Sequence, residues 1–156
     1  MITYPLHGSN WFDVREFVDE RTWDILGLKA AWMIDPRIVR VADLLREKAG
    51  VPVIVNNWHF KKKWETLYDS SGYRSIWDKT GGTLSQHRCG RAADFKVQGF
   101  TPRQMMILIQ ANAAEFRALG LTTMEDVNST PTWLHCDCRP IIPGIQPELD
   151  FLIVRP

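Results

Sequence analysis

No run of apolar residues in this chain approaches the ~18–20 needed to cross a bilayer, so no membrane-spanning helix is expected. An excess of charge of either sign is also missing. Lys and Arg number 19 against 18 Asp and Glu, a net charge of +1, whereas a chain that coats nucleic acid carries a basic surplus. No nucleic-acid partner is expected. Cysteine is scarce: the three residues Cys89, Cys136 and Cys138 cannot all pair within one chain, and free thiols are expected. The opening Met1-Ile2-Thr3-Tyr4-Pro5 has neither a basic nor an apolar signal region, so no secretory signal is expected and the chain reads as cytoplasmic when synthesised. Internal repeats, low-complexity tracts and a Pro/Gly/Ser linker are absent too. What is there is 156 residues, 45% apolar and 24% charged, enough for a hydrophobic core. One domain spanning 1–156 is expected.

The first 34 residues are dense in aromatics (Tyr4, Trp11, Phe12, Phe17, Trp23, Trp32) with polar breaks between them. That pattern suits short helical turns, and residues 1–34 are expected to pack as a helical segment on the rest. Asp35 caps a predicted helix with Pro36 at its first position; Ile38, Val41, Leu44 and Leu45 form its apolar stripe and Gly50 its stop. Val51 to Val55 reads as a buried strand. His59 to Thr83 reads as loop and short helix, with turn pairs at Ser71-Gly72 and Gly81-Gly82 and a solvated Lys61-Lys62-Lys63. Ala92 to Val97 is a second strand. Thr101-Pro102 opens a long helix to Leu119, with Met105, Ile109, Ala113 and Phe116 facing the core and Gly120 as the stop. Trp133 to Arg139 and Leu149 to Val154 are further strands. Most of the seven tryptophans are expected in the core, the exposed ones lining a groove. The sum is an α+β fold with a small, mostly antiparallel sheet flanked by helices.

Metal-competent side chains concentrate in two places, Ser85 to Asp94 and Trp133 to Cys138. A catalytic zinc takes three protein ligands and leaves a fourth position open; His87, Asp94 and His135 make such a set. His87 precedes a turn that Gly90 permits, and Asp94 lies on the strand leaving it, so both side chains reach one centre. A structural zinc on Cys89, Cys136 and Cys138 is the competing arrangement. Strand alternation opposes it. In an extended 133–139, His135 and Asp137 face one side while Leu134, Cys136 and Cys138 face the other, as small core fillers.

Ser85, His87, Gly90, Ala92 and Asp94 fit the pattern S-x-H-x-x-G-x-A-x-D at every fixed position. This resembles the signature of the zinc D-alanyl-D-alanine carboxypeptidases and their relatives, among them the vancomycin-resistance dipeptidases, the phage L-alanyl-D-glutamate endolysins and the Hedgehog signalling domain. Ser71-Gly72-Tyr73-Arg74-Ser75 is similar to that family's S-G-Y-R-S stretch, and Trp133 to Asp137 to its closing aromatic-x-H-x-D strand. The similarity covers roughly residues 35–139. It implies the Hedgehog/DD-peptidase-like fold, one zinc ion on His87, Asp94 and His135, and a monomer that cuts peptidoglycan stem peptides, either at terminal D-Ala-D-Ala or at an internal bond. Arg74 resembles the arginine that holds substrate carboxylate or carbonyl oxygens, a task suited to a guanidinium fork. Ser85 would orient the turn or a bound peptide. Without a secretory signal, the resemblance fits a phage or prophage lysin that reaches the wall after release.

One feature departs from the family. Where several members carry a Glu three residues before the last His, this chain has Thr132; where others carry a His two residues before it, this chain has Trp133. Asp137, on the same strand face as His135, is the expected general base, with Glu125 and Asp126 on a preceding loop as competitors; the further option is that Asp137 only orients His135. The missing Glu also supports an alternative: a non-catalytic, zinc-stabilised binding domain, such as a virion-associated or cell-wall-binding module.

Overall fold

The computed structural model describes residues 4–60, 66–141 and 151–155. Five strands form one sheet in the order β1-β2-β4-β3-β5, where β1 is Val53–Ile54, β2 Ala92–Val97, β3 Thr123–Glu125, β4 Leu134–Asp137 and β5 Leu152–Val154. Every pairing is antiparallel except β3 with β5. The helices are α1 (Glu20–Leu26), α2 (Pro36–Ala49), α3 (Pro102–Ala111) and α4 (Ala113–Ala118). The class is therefore α+β. No helix among the described residues is long and apolar enough to cross a membrane.

The α2 boundaries follow from its ends. The Asp35 carboxylate accepts from Arg37 N at 2.9 Å, Pro36 opens the first turn, and Gly50 closes the helix at φ 68°, satisfying donors and carbonyls that a helix cannot satisfy itself. Thr101 and Gln104 form a capping box for α3. The helix expected to reach Leu119 is broken at Asn112, whose φ/ψ of −120°/29° is non-helical and whose side-chain amide donates to Leu108 O at 2.8 Å; asparagine competes locally for backbone partners in this way. The strand expected over 51–55 shortens to two residues, and β3 was not anticipated. Of the strand expected over 149–154, residues 149–150 lie outside the described residues, as does Lys61-Lys62-Lys63.

The sheet has two chemically different faces, because side chains alternate along each strand. Ala93, Phe95, Leu134, Cys136 and Met124 are buried in the core, with α2 packed on β2 and α3 on β4. Asp94 and Lys96 on β2, His135 and Asp137 on β4, and Thr123 and Glu125 on β3 point to the opposite face. The 66–90 segment and the N-terminal turns help to build that side. Tyr73 N donates to Phe17 O at 2.7 Å and Asn56 N to Glu16 O at 2.9 Å, tying these layers together. Tryptophan departs from expectation: among the described residues only Trp58 is buried. Arg46 sits over Trp11 and Arg21 over Trp77, so cations rather than core atoms cover those two rings.

Candidate metal centre

The register of β2 on β4 sets Asp94 directly opposite His135, and cross-strand partners lie close enough for their side chains to meet. His87 arrives from the other side, on the 3-10 turn Gln86–Cys89. The Ser85 hydroxyl caps that turn, accepting from His87 N at 3.4 Å, and Gly90 ends it at φ 68°. A Cβ at Gly90 would lie 1.7 Å from Met33 O, so this position admits glycine alone, for its backbone angle and its space. The Ser71–Ser75 stretch brackets the site with its backbone: Ser71 O accepts from Asp94 N at 2.8 Å, and Arg74 N donates to His87 O at 3.2 Å.

Three donor atoms converge. His87 Nε2 lies 3.0 Å from His135 Nδ1 and 3.2 Å from Asp94 Oδ1, and His135 Nδ1 lies 2.9 Å from Asp94 Oδ1. All three residues are buried. The far nitrogen of each ring is anchored: His87 Nδ1 donates to Gly72 O at 2.7 Å, and His135 Nε2 to Asp137 Oδ2 at 3.2 Å. A carbonyl and a carboxylate can only accept, so a neutral ring held this way presents its lone pair to the common point. Two imidazole nitrogens and a carboxylate oxygen facing one point can serve as a cation site. Its edges are close to the about 3.3 Å of a tetrahedron built on ~2.0–2.1 Å bonds, and His87, Asp94 and His135 can hold a metal ion. The residues present fit the group that the sequence pattern implies.

The supporting charges are ordered as well. Arg74 donates from Nη2 to Asp94 Oδ2 at 3.0 Å and from Nε to Ser70 O at 2.7 Å, which leaves Oδ1 for the centre. Burial would raise the Asp94 carboxyl, but His87 and His135 beside it hold it well below the usual carboxylate range. Burial opposes charge on His135, yet Asp137 and Asp94 outweigh it and lift the ring to about 9. A proton and a metal ion therefore compete for its Nδ1.

The structure separates the candidate bases. Asp137 is fully buried and lies on the far side of His135, bonded to Nε2 and to Arg139 Nε at 2.8 Å and Nη2 at 2.5 Å. It holds the ring nitrogen that faces away from the converging atoms and does not line the cavity they open onto, a placement that suits orienting His135 better than the expected role of base. Asp126 turns away, accepting from Asn128 N at 3.0 Å and facing Arg155 at 3.4 Å. Glu125 is the carboxylate on the open side, its Oε1 4.0 Å from His135 Nδ1. It stands at the end of a strand rather than on the loop expected from the sequence. The cysteines divide as strand alternation requires, with Cys136 and Cys138 buried in the core and Cys89 exposed. Burial pushes the Cys138 thiol up to about 12, an inert form rather than a thiolate ligand.

The donors open onto a cavity of about 430 Å³, lined also by Arg74, Ser85, Glu125, Thr130 and Trp133. A larger cavity of about 530 Å³, lined by Arg37, Arg117 and Ile141 among others, contains none of the three donors. Lys96 escaped the sequence reading, although its spacing from Asp94 on a strand places both on one face. Burial presses its ammonium down to about 8, against the pull of Asp94 and with the push of Arg74. Set against protein-family models, curated proteins and solved structures, the chain finds no match in any of the three.

Proposed function

We propose that this chain is a zinc-dependent peptidase of the Hedgehog/DD-peptidase-like fold that hydrolyses peptide bonds in peptidoglycan stem peptides. The observation that carries the reading is the convergence of His87 Nε2, Asp94 Oδ1 and His135 Nδ1 within 3.2 Å of one another, with the far ring nitrogens anchored. The S-x-H-x-x-G-x-A-x-D spacing supports it. Two imidazoles and one carboxylate suit zinc, which leaves a position open in such three-ligand sites. Bound there, zinc supplies Lewis acidity, polarising a carbonyl and acidifying water toward ~7.

The chain's own groups supply the rest. Glu125, on the open side, accepts the proton of the attacking water and returns it to the leaving amine. Arg74 holds Asp94 through Nη2 and leaves Nη1 beside Gly81 on the cavity wall, where a guanidinium N–H meets developing negative charge on the substrate oxygen. Trp133 offers a flat apolar wall to the peptide. A carboxylate supplied by β3 removes the reason for reading Thr132 as a lost base, so the catalytic reading stands above the zinc-stabilised binding module.

The test is direct. Zinc-loaded protein incubated with muropeptides should release D-Ala or expose a new amine, with chelator abolishing the reaction and added zinc restoring it. Intact muropeptides together with a zinc-dependent rise in thermal stability would favour the binding module instead.

A further inference from the structure

Just past β1 the chain places two asparagines side by side, Asn56 and Asn57, and both are buried. Both amides are bound at each end. Asn56 Nδ2 donates to Val18 O at 3.1 Å, and its Oδ1 accepts from Ser71 N at 2.9 Å. Asn57 Nδ2 donates to Thr66 O at 3.0 Å, and its Oδ1 accepts from Tyr68 N at 2.6 Å. Their main chains add Asn56 N to Glu16 O and Asn57 N to Tyr68 O, each at 2.9 Å. Residues 66–74 form neither helix nor strand, so their backbone groups depend on partners of this kind. A buried amide costs free energy unless donor and acceptor are both satisfied; once satisfied, it rigidifies what it holds.

What Asn56 holds is the backbone behind the metal centre. Ser71, fixed at its N–H by Asn56, accepts at its carbonyl from Asp94 N at 2.8 Å. The next carbonyl, Gly72 O, takes His87 Nδ1 at 2.7 Å. Tyr73 N then donates to Phe17 O at 2.7 Å, and a Cβ at Gly72 would lie 2.3 Å from that same oxygen, so Gly72 is pressed against the N-terminal turns. Val18 O, the other anchor, receives Trp58 Nε1 at 2.7 Å as well as Asn56. Ser71 and Gly72 are thus held from both sides by the consecutive residues Phe17 and Val18, and on one side the tie passes through the Asn56 side chain.

We infer that Asn56 is a positioning residue for the metal centre: through Ser71 it sets the two carbonyls that fix the Asp94 backbone and orient the His87 ring. This rests on the metal-binding part of the reading above and not on the substrate. One side-chain oxygen therefore governs two of the three donors, one through Ser71 O and the other through Gly72 O. Without it the 71–72 backbone is free to turn, and His87 Nε2 leaves the common point. Groups that orient a ligating side chain in this way commonly change metal affinity ~10–100-fold.

The experiment measures zinc affinity by chelator competition on the full chain and its variants, with thermal denaturation checking that each folds. Asn56→Ser carries a hydroxyl too short to bridge Ser71 and Val18, and should weaken zinc binding about tenfold. Asn56→Asp keeps an oxygen for Ser71 N and loses only the donor to Val18 O. It should stay within about threefold of the native chain even where its melting temperature falls as far as that of the Ser variant. Phe116→Leu, in the core on α4 and outside this network, is the stability control and should also stay within about threefold. If Asn56→Ser does not fold, Asn56→Gln, whose extra methylene displaces the oxygen from Ser71 N, should show the same tenfold loss. Native zinc affinity in the Ser or Gln variant overturns the inference, and so does an equal loss in Asn56→Asp or Phe116→Leu. Zinc affinity that depends on Asn56 while muropeptides stay intact keeps the inference and removes the peptidase reading; a native chain that binds no zinc removes both.

Discussion

Replacing Asp137 by Asn separates an orienting carboxylate from a catalytic one. Asp137 Oδ1 accepts from Arg139 N at 3.0 Å and from Arg139 Nε at 2.8 Å, while Oδ2 takes Arg139 Nη2 at 2.5 Å and His135 Nε2 at 3.2 Å. An asparagine has one acceptor oxygen and turns an NH2 toward a guanidinium, so it cannot serve both partners. Charge-assisted bonds of this kind contribute about 1.5–3 kcal/mol. Water recovers part of the loss because the Arg139 side chain is 29% exposed. A net cost of about 2 kcal/mol is expected, or about 4–8 °C in the melting temperature of a chain this size. The pH dependence has a definite sign. Burial favours the neutral acid, but Arg139 and His135 outweigh it and lower the Asp137 carboxyl from 3.8 to about 2. Its contribution is therefore present above pH ~4 and is lost as pH falls toward 2, and the Asn variant should lack that acid limb. Zinc affinity, read by competition with a chromogenic chelator, should fall ~10–100-fold, because the ring is no longer held with its lone pair toward the centre. Unchanged zinc affinity together with complete loss of turnover would refute this reasoning and return Asp137 to the role of base.

Glu125→Gln should keep zinc affinity within about threefold while turnover falls by ~10²–10⁴; stopped-assay rates at saturating substrate, with metal content measured alongside, decide it. His87→Ala should abolish stoichiometric zinc binding and with it the thermal stabilisation that zinc gives the native chain, checked by elemental analysis and melting curves. Burial raises the Glu16 carboxyl from 4.5 to about 7, with the Asp13 amide bond and the nearby arginines opposing it. Its protonated form is favoured in the folded chain, so stability from this group is present below pH ~4.5 and is lost as pH rises through 7. Glu16→Gln keeps the bond from Asp13 N and should gain on the order of 2 kcal/mol over the native chain at pH 8 but little at pH 4, read from denaturant midpoints.

Much of the local architecture was legible because its causes are neighbours in the chain. Asp35, Pro36 and Gly50 set the ends of α2 through bonds spanning a few residues, and Gly90 sits where only glycine fits. Period-two alternation put His135 and Asp137 opposite Cys136 and Cys138, and the spacing from His87 to Asp94 brought two donors to one turn. The break at Asn112 was hidden by an apolar stripe that continues through it. The strand β3 is three residues long, too short to show a period, and it exists because β4 and β5 pair with it from either side. Its register delivers Glu125 to the open side of the donors.

The sequence by itself determined which side chains could bind a metal and which face each would take, since turn chemistry and strand alternation act over a few bonds. Only the tertiary structure decided which carboxylate stands at the centre and which stands behind a ring. That choice depends on which nitrogen of His135 turns toward Asp94, a rotation fixed by Arg139 and Asp137 on one side and by the pairing of β2 with β4 on the other. Lys96 follows from the same pairing: as the next same-face residue of β2 after Asp94, it is carried to Ser71 and the Tyr68 ring.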